Sequence, residues 1–470
     1  MPQIEEQYTA DRLAGDMAWV MSRLPEGKCK YKIETYGCQM NAHDSEKLAF
    51  MLDSMGYIEA GNGEELDLII FNTCCVREHA ELKVHGNVGA LRKRKEEDPN
   101  LIIAVCGCMM QQKSVARDLV KKYPFIDIVF GTHNLHTFPA LLRRCLEGEP
   151  VREVWEHNDA LAGSNLPAHR KDGVTAYVNI MYGCDNYCTY CIVPYVRGHE
   201  RSRPHAEILE EVSRVAAQGY GEIMLLGQNV NSYGHGMAEE WDFAGLLEQI
   251  SRIEPVKRIR FMTSHPKDLS DRLIEVMASN QKVCSQLHLP VQSGSSDVLR
   301  SMNRRYTRED YLRLVDKLRG RVGEHIGLTT DIIVGFPGET QEQFLETLSL
   351  VQQVRYHAAY MFMYSPRQGT IAAQMPDQIP EAVKKERLHQ LIELQNSITG
   401  QIHQGLIGKV EPVLVESRSK RDAHAVSGRT DAGRMVTFPG GDDLIGKMVP
   451  VKITQANPNT LGGERIDEAF

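Results

Sequence analysis

Gly183-Cys184-Asp185-Asn186-Tyr187-Cys188-Thr189-Tyr190-Cys191 carries three cysteines in the pattern C-x-x-x-C-x-x-C. Three thiolates this close on one loop can each hold a different iron of a [4Fe–4S] cube, whereas ferredoxin-like runs supply four cysteines per cluster. The next cysteine, Cys284, is far along the chain, so the fourth iron would be open to a ligand from outside the protein. The alternatives are a zinc site or buried thiols, but zinc ribbons favour paired cysteine knuckles and no second knuckle is present.

Length and composition narrow the class of protein. The chain has 470 residues, enough for two or three domains, and no run of about 18 apolar residues, so no membrane span is predicted. The N-terminus lacks the charged and apolar regions of a secretory signal, which predicts a cytoplasmic protein. With a net charge of −8, any nucleic-acid site must be a local basic patch. Eleven cysteines in so long a chain favour metal binding or chemistry over a disulfide framework.

A second set of cysteines, Cys38, Cys74 and Cys108, follows three apolar strand candidates, which are Lys32–Thr35, Leu66–Phe71 and Leu101–Val105. Apolar strands alternating with helices predict a parallel sheet, whose carboxyl edge is where ligands bind. Three buried structural cysteines are the alternative, and spacing alone does not decide between the two. Cys75 and Cys106 complicate the choice, because strand alternation would point Cys106 and Cys108 to the same face.

The helix after Cys38 is expected to have Asp44 or Ser45 as its cap. Along the whole chain the pattern predicts a leader (1–29), an N-terminal α/β domain (30–150), a polar linker (151–173), a second α/β domain (174–400) and a tail (401–470).

The second domain has six strand candidates, too few for a closed eight-stranded barrel, so we expect an open partial (βα)6 barrel. The candidates are Ala176–Met181, Glu222–Leu226, Arg258–Met262, Gln286–Leu289, Thr329–Val334 and Ala359–Tyr364. A polar helix over Gln374–Thr399 follows, with Pro380 as a start signal. Short strands separated by glycines in the tail predict a small antiparallel β-barrel.

Many ordered matches make the sequence resemble the methylthiotransferase family of radical S-adenosylmethionine enzymes over residues 30–468. Besides the cysteine loop and its extension to Gly198, the matching segments are Thr35–Asn41, Asn72–Cys74, Gly107–Cys108, Leu226–Tyr233, Thr263–Pro266, His288–Gly294, Met302–Thr307, Phe336–Thr340 and Tyr364–Arg367. The resemblance implies an N-terminal methylthiotransferase domain, a radical S-adenosylmethionine barrel and a C-terminal TRAM domain, a small RNA-binding β-barrel.

The resemblance also implies two [4Fe–4S] clusters and S-adenosyl-L-methionine as cofactors. Cys184, Cys188 and Cys191 would hold the radical cluster, and Cys38, Cys74 and Cys108 an auxiliary one. No catalytic residue beyond these ligands is predicted.

The implied activity is transfer of a methylthio group to C2 of N6-isopentenyladenosine at position 37 of tRNA, by a radical mechanism that uses two S-adenosylmethionine molecules. His288–Gly294 and Met302–Thr307 favour this branch of the family. Two other targets stay open, a threonylcarbamoyl-adenosine in tRNA and a ribosomal-protein aspartate, as does a non-catalytic iron–sulfur electron carrier. The expected partners are the tRNA anticodon loop, an electron donor such as flavodoxin or ferredoxin, and a sulfur source.

Two further groups of residues are candidates for binding. Those for S-adenosylmethionine are Tyr190, Gly227, Gln228, Asn229 and Gly335, although the glycines there may also simply form turns. Those for tRNA phosphates are Arg197, Arg203, Arg304, Arg305, Arg418, Lys420 and Arg421. Removing the tail after about residue 400 is expected to leave the radical machinery intact, because all six predicted ligand cysteines precede it.

Overall fold

The computed structural model describes residues 8–25, 29–75, 78–157, 163–170, 173–237, 241–458 and 460–466. Parts of the predicted leader, linker and tail, including residues 1–7 and 467–470, lie outside the described residues. The chain divides into two compact units. The N-terminal unit comprises residues 1–171, 182–185 and 192–203, and the C-terminal unit comprises residues 172–181, 186–191 and 204–470. No helix in the described part of the chain combines the length and the apolar character needed to cross a membrane.

The N-terminal unit is built on the predicted parallel sheet. Its strands are β1 (Lys30–Thr35), β2 (Ile58–Glu59), β3 (Leu68–Thr73), β4 (Ile102–Gly107), β5 (Ile128–Phe130) and β6 (Val151–Glu153). Its first helices are α1 (Ala10–Arg23), α2 (Gln39–Ser54), α3 (Glu78–Ala90), α4 (Arg92–Glu97), α5 (Lys113–Lys122) and α6 (Phe138–Leu146). The strand order is β2-β1-β3-β4-β5-β6, and every pair is parallel.

Apolar cores cover both faces of this sheet. Leu68 and Ile70 of β3 pack into one core, whereas Ile69 and Phe71 pack into the other, as strand alternation requires. Every residue of β3 and β4 is buried, which explains why both strands are continuous apolar runs.

Two predicted boundaries of the N-terminal domain are wrong. The predicted linker begins with a strand, because β6 pairs with β5 at the edge of the sheet. The predicted leader contributes α1, whose Val20 is fully buried in one of the sheet's cores. Asp16 of this helix forms an ion pair of 3.2 Å with Arg143 on α6. Both segments therefore belong to the folded unit.

The C-terminal unit contains the predicted partial barrel. After the first strand of the barrel, β7 (Thr175–Asn179), the chain forms β8 (Met181–Tyr182) and then α7 (Val193–Arg197) and β9 (Arg201–Ser202), which belong to the N-terminal unit. The parallel strands of the partial barrel are β7, β10 (Glu222–Leu226), β11 (Arg258–Phe261), β12 (Gln286–His288), β13 (Gly327–Val334) and β14 (Ala358–Met363). They form two three-stranded sheets, β7-β10-β11 and β12-β13-β14, linked by a bridge between Ile259 and Val283.

Helices alternate with these strands along the chain. They are α8 (His205–Ala217), α9 (Phe243–Ser251), α10 (Asp271–Ser279), α11 (Ser296–Ser301), α12 (Arg308–Val322), α13 (Gln341–Val354) and α14 (Glu381–Gln404). Helix α14 begins directly after Pro380, as predicted.

The tail forms a closed five-stranded barrel. Its strands are β15 (Val410–Arg418), β16 (Ala425–Thr430), β17 (Met435–Pro439), β18 (Met448–Ala456) and β19 (Leu461–Arg465). Their order is β15-β16-β17-β19-β18. The barrel is antiparallel except for β17 and β19, which pair in parallel and depart from the predicted antiparallel arrangement.

The turn between β16 and β17 packs against the amino ends of the strands of the partial barrel. Arg258 and Arg260 each donate a hydrogen bond of 2.7 Å to the carbonyl of Thr430. Both arginines are buried, and Glu222 is the carboxylate between them, 2.9 Å from Arg260. Removing the tail would take the carbonyl acceptors away from two buried guanidinium groups, so the prediction of an intact radical site after truncation depends on the shortened chain still folding. RNA binding by the tail has to be tested with surface substitutions.

Candidate cluster and cofactor sites

Cys38, Cys74 and Cys108 follow β1, β3 and β4, which are neighbours in the sheet. Parallel strands end at the same edge, so the three cysteines belong to one side of the N-terminal unit. Two glycines make this possible. A Cβ on Gly37, whose φ is +105°, would come within 2.4 Å of the Cβ of Cys74, and a Cβ on Gly107, whose φ is +93°, within 2.4 Å of the carbonyl oxygen of Thr73.

Cys38 itself is the N-cap residue of α2, so the predicted cap at Asp44 or Ser45 is wrong. The cap therefore lies six residues before Asp44, and the first turn of the helix contains polar side chains of the site. Asn41 in that turn donates from its amide nitrogen to the carbonyls of Tyr36 and Thr73, both at 2.8 Å. The amide thereby ties the end of β1 to the end of β3.

Arg197 reaches the same cysteines from α7. Its Nε donates to the Sγ of Cys108 at 3.3 Å, and its Nη2 donates to Asn41 at 2.9 Å and to Asp44 at 2.8 Å. Arg197 is only 5% exposed. Its predicted role as a tRNA phosphate contact is therefore wrong, because the guanidinium is already enclosed by a cysteine and a carboxylate.

The electrostatics of Cys108 favour the thiolate, which is the form that binds metal. A hydrogen bond from Cys75 and the charge of Arg197 lower the pKa of Cys108 to about 6, despite burial. The same hydrogen bond raises the pKa of Cys75 well above its usual value. Cys75 thus contacts the set as the hydrogen-bond donor to Cys108.

Cys106 faces the opposite side of the sheet. It packs into the apolar core that contains Leu48 and Phe130, whereas Cys108 packs into the other core. The left-handed backbone of Gly107 breaks strand alternation between the two cysteines, so periodicity wrongly allowed them a common face. Burial raises the pKa of Cys106 well above its usual value, which also disfavours a thiolate there.

The cysteine loop is where the chain passes from one unit to the other. Cys184 belongs to the N-terminal unit, where its N–H donates to the carbonyl of Gly198 at 3.2 Å. The preceding residue must be glycine, because a Cβ on Gly183 would lie 1.9 Å from the carbonyl oxygen of His199. Asp185 accepts a hydrogen bond of 3.3 Å from the N–H of Glu200.

Cys188 and Cys191 belong to the C-terminal unit, where α11 and the turn after it hold the loop. Thr189 donates from its hydroxyl to the carbonyl of Ser301 at 2.9 Å and from its N–H to the carbonyl of Met302 at 3.1 Å. The amide of Asn303 donates to the carbonyls of Asn186 and Tyr187, at 3.2 and 3.0 Å. These bonds fix the backbone between the cysteines.

Arg304 is the second arginine that contacts a predicted ligand. Its Nη1 donates to the Sγ of Cys188 at 3.5 Å, its Nη2 to the carbonyl of Pro290 at 2.7 Å and its Nε to the hydroxyl of Tyr306 at 2.8 Å. At 7% exposure it is buried. The prediction that it contacts tRNA phosphates is wrong for the same reason as for Arg197.

The other predicted RNA contacts divide by exposure. Arg203 is 1% exposed and donates to Asn165, so a phosphate cannot reach it and that prediction is also wrong. Arg305, Arg418, Lys420 and Arg421 are exposed. Arg418 is neutralised in part by Asp442, which accepts from its Nε at 2.8 Å.

Within the described ranges, no three His, Cys, Asp or Glu side chains gather closely enough to hold a single metal ion.

Comparisons with known proteins match this architecture. Family models match at residues 30–131 (Uncharacterized protein family UPF0004), 178–351 (Radical SAM superfamily) and 404–466 (TRAM domain). A tRNA-2-methylthio-N(6)-dimethylallyladenosine synthase from Alkaliphilus oremlandii (strain OhILAs) is 54% identical over 440 residues, 93% of each chain. One from Clostridium botulinum (strain Okra / Type B1) is 53% identical over 438 residues, 93% of this chain and 97% of the relative.

The chain belongs to this family of radical S-adenosylmethionine methylthiotransferases. Among solved structures, the methyltransferase TsrM from Kitasatospora setae, with cobalamin and a [4Fe-4S] cluster bound, has a TM-score of 0.54 at 14% identity. The structural match covers 74% of this chain and 77% of the TsrM chain. OxsB with aqua-cobalamin and S-adenosylmethionine bound has a TM-score of 0.51 at 13% identity, over 79% and 57% of the two chains. Identities this low show a shared fold alone.

The methylthiotransferase uses S-adenosylmethionine and two [4Fe–4S] clusters. Each predicted set has three cysteines, and a buried guanidinium donates to one sulfur of each set, Arg197 to Cys108 and Arg304 to Cys188.

The residues predicted to contact S-adenosylmethionine differ in what surrounds them in the structure. The side-chain amide of Asn229 is already hydrogen-bonded within the protein. It donates to Asp268 at 2.7 Å and accepts from the N–H of His265 at 3.1 Å. Gly335 is required by packing, because a Cβ there would lie 2.4 Å from the Cγ of Lys384. Gly227 likewise lies against Met181. Tyr190 packs beside the apolar cluster of Phe336.

Three polar residues that the prediction missed fit S-adenosylmethionine better. Asn231, Ser264 and Gln292 follow β10, β11 and β12, and all are buried. Both amide atoms of Asn231, the hydroxyl of Ser264 and the amide oxygen of Gln292 have no hydrogen-bond partner among the described residues. Buried polar groups without partners are costly, so a polar ligand is expected at this edge of the barrel. Their sequence signal was membership of the matching segments quoted above.

Proposed function

We propose that this methylthiotransferase transfers a methylthio group to C2 of N6-isopentenyladenosine at position 37 of tRNA. The observation that carries the proposal is the meeting of Cys38, Cys74 and Cys108 at one sheet edge, apart from the loop cysteines, in a chain 54% identical to synthases of that name. Two separate cluster sites suit a reaction that needs both a radical and a sulfur-bearing centre. An electron carrier needs neither an open iron nor an RNA-binding barrel.

The residues divide between the two tasks. Cys184, Cys188 and Cys191 would hold the cluster that, with S-adenosylmethionine bound, supplies a radical able to attack the unactivated C2–H bond of adenine. The hydrogen bonds of Thr189 and Asn303 orient this loop, and Arg304 stabilises negative charge on Cys188. The strand-end cysteines would hold the auxiliary cluster, with Arg197 stabilising negative charge on Cys108.

RNA binding would use exposed charges. Arg305, Lys420 and Arg421 keep exposed side chains, as the prediction for tRNA phosphates requires. An adenosine in the anticodon loop is unpaired and can be turned out of its stack toward a buried site, as enzymes that act on bases require. The reaction would take place in the cytoplasm, with a flavodoxin or ferredoxin as electron donor and a low-valent sulfur compound as sulfur source.

Mass spectrometry of tRNA nucleosides tests this function. In a strain that lacks the protein, isopentenyladenosine should accumulate without its 2-methylthio derivative, and the wild-type protein should restore the derivative. A Cys184→Ala variant should restore none. A missing 2-methylthio derivative of threonylcarbamoyl-adenosine, or a missing methylthio group on a ribosomal aspartate, would assign one of the other targets instead. Reduced protein that fails to cleave S-adenosylmethionine would favour the electron carrier.

A further inference from the structure

The N-terminal unit contains a small polar cavity beside the auxiliary cysteines. Its volume is about 50 Å³, and Asp44, Lys47, His136, Arg197 and Arg201 are among the residues that line it. A water molecule needs about 10–15 Å³ of such space, so the cavity is large enough for a small ion or molecule. Arg197 joins the cavity to Cys108, since the same guanidinium borders the cavity and donates to the cysteine sulfur.

The lining carries excess positive charge. Lys47 is 3% exposed, and its ammonium donates to the carbonyls of Gly163 and Ser164 and to the hydroxyl of Tyr182, at 3.0 to 3.3 Å. These acceptors are neutral, and no carboxylate among the described residues lies within ion-pair distance of Lys47. A buried ammonium without a counter-charge is costly, so an anion is expected near it.

The neighbouring charges do not supply that anion. The carboxylate of Asp44 is bound to Arg197 at 2.8 Å and cancels that charge. Arg201, also at the lining, donates to the carbonyl of Arg197 at 2.9 Å. The ammonium of Lys47 therefore keeps its positive charge facing the cavity.

His136 adds an unused hydrogen-bonding atom. The residue is 5% exposed, and its Nε2 has no partner in the described part of the chain. Burial and the charge of Lys47 lower the pKa of His136 to about 4, so the ring is neutral at pH 7. The free nitrogen of a neutral imidazole can donate or accept one hydrogen bond with a small ligand. It does so without adding a second positive charge beside the ammonium.

We propose that this cavity binds a small monovalent anion, and that its occupant during turnover is hydrosulfide, which supplies the sulfur of the methylthio group. In the overall reaction, hydrosulfide would lose its proton and take the methyl group of one S-adenosylmethionine, which leaves S-adenosylhomocysteine. The hydrogen at C2 of the adenine would leave in 5′-deoxyadenosine, formed with methionine from the second S-adenosylmethionine. The electron spent on that cleavage would be returned when the C2–S bond forms, so the reaction consumes no net electron. The assignment to sulfur rests on the proposed function, because only a reaction that adds sulfur to carbon consumes such a species. Hydrosulfide has one heavy atom and a single negative charge, which suit the volume and the charge of the lining. In the cavity it would be separated from Cys108 by the side chain of Arg197, which borders the cavity and donates to the cysteine sulfur.

Hydrosulfide dependence of product formation tests the assignment. With anaerobic holoenzyme and tRNA, Lys47→Gln should raise the hydrosulfide concentration for half-maximal methylthio product roughly tenfold or more, while the rate at saturation stays near that of the wild type. Bromide should compete with hydrosulfide in the wild type and much less in the variant. Lys113→Gln, an exposed lysine of the same unit, is the matched control.

Two further variants separate charge from folding. Lys47→Arg keeps the positive charge and should stay within about threefold of the wild type in its hydrosulfide requirement. Arg201→Gln removes charge from a half-buried residue and should raise the requirement even if Lys47→Gln fails to fold. Iron content and melting temperature identify variants that fold and carry both clusters.

Anomalous scattering from crystals of the full-length protein soaked in bromide tests the site itself. A bromide peak within contact distance of Lys47 supports an anion site, and its absence overturns it. A bromide peak combined with an unchanged hydrosulfide requirement in folded Lys47→Gln would overturn the assignment to sulfur. If the wild type makes no methylthio nucleoside at any hydrosulfide concentration, the proposed function fails, whereas the bromide result still decides on the anion site.

Discussion

The two predicted cluster sites use the same element in different electrostatic settings. Arg197 donates to Cys108 in the N-terminal unit, and Arg304 donates to Cys188 in the C-terminal unit, with similar distances of 3.3 and 3.5 Å. Arg197 is also paired with a carboxylate, Asp44, at 2.8 Å. The other acceptors of Arg304 are a carbonyl and a hydroxyl, and no carboxylate of the described chain lies in ion-pair distance of it.

This difference shows which negatively charged group each guanidinium is paired with. The charge of Arg197 is shared between Cys108 and the carboxylate of Asp44, so its removal leaves a buried carboxylate unpaired and should harm the fold. Besides a carbonyl and a hydroxyl, the acceptor of Arg304 is the sulfur of Cys188, so its removal leaves no carboxylate unpaired and should harm the chemistry more than the fold. The following experiments are ordered by the size of the effect expected.

Independence of the two sites is the first point to test. Replacing Cys184, Cys188 and Cys191 together with alanine should remove one of two cubes, about four of eight irons. Cleavage of S-adenosylmethionine should be abolished, because the open iron of this cluster is gone. Iron analysis and Mössbauer spectra of anaerobically reconstituted protein measure the outcome. A folded triple variant with all its iron, or with none, would refute the ligand assignment.

Single substitutions check the auxiliary ligands in the same way. Cys108→Ser should lose the auxiliary cluster, whereas Cys106→Ser and Cys75→Ser should keep it. The reason is that Cys106 packs in the opposite core and Cys75 acts as a hydrogen-bond donor. Retention of the cluster in Cys108→Ser together with its loss in Cys75→Ser would exchange their roles.

Arg197→Gln should destabilise the N-terminal unit by about 3–5 kcal/mol, the usual result of breaking a buried ion pair from one side. Adding Asp44→Asn should recover most of that stability, because the unpaired carboxylate is then gone. Chemical unfolding followed by tryptophan fluorescence gives the stabilities. Arg117→Gln, an exposed arginine on α5, is the control. Equal stability of the single and double variants would show that the ion pair does not hold this site.

Arg304→Gln should leave the fold nearly intact but slow reductive cleavage of S-adenosylmethionine roughly 10- to 100-fold, the value of a hydrogen bond to a charged group. The midpoint potential of the radical cluster should fall, because a nearby cation stabilises the reduced form. Measurements of 5′-deoxyadenosine release and a redox titration followed by EPR detect both effects, with Arg300→Gln on α11 as control. Normal cleavage at an unchanged potential would mean that Arg304 only packs.

The smallest effect concerns the tail. Lys420→Gln with Arg421→Gln should lower the log–log salt slope of tRNA binding by roughly 0.7 to 0.9 for each phosphate that the protein no longer neutralises. Arg418→Gln should change it less, because Asp442 already neutralises part of that charge. Affinities measured at several salt concentrations give the slopes. If Arg418→Gln has the larger effect, the ion pair with Asp442 opens when RNA binds.

Much of the architecture follows from local sequence. The cysteine loop, the six barrel strands and the start of α14 after Pro380 depend on spacing, apolar runs and backbone chemistry that neighbouring residues carry. The same holds for the cysteines at the ends of β1, β3 and β4, because a strand end and its following residue are adjacent in sequence. These features could be predicted because each depends on residues close in the chain.

Only the tertiary structure decided which charges are buried. Arg197, Arg203 and Arg304 look like surface arginines in the sequence, yet their partners lie 153, 38 and 116 residues away. The left-handed backbone of Gly107 decides which face of the sheet Cys106 lies on. The hydrogen bonds from Arg258 and Arg260 to the carbonyl of Thr430 decide where the tail packs. Burial of a polar group is stable only when distant segments bring its partners, and no local pattern records where those segments meet.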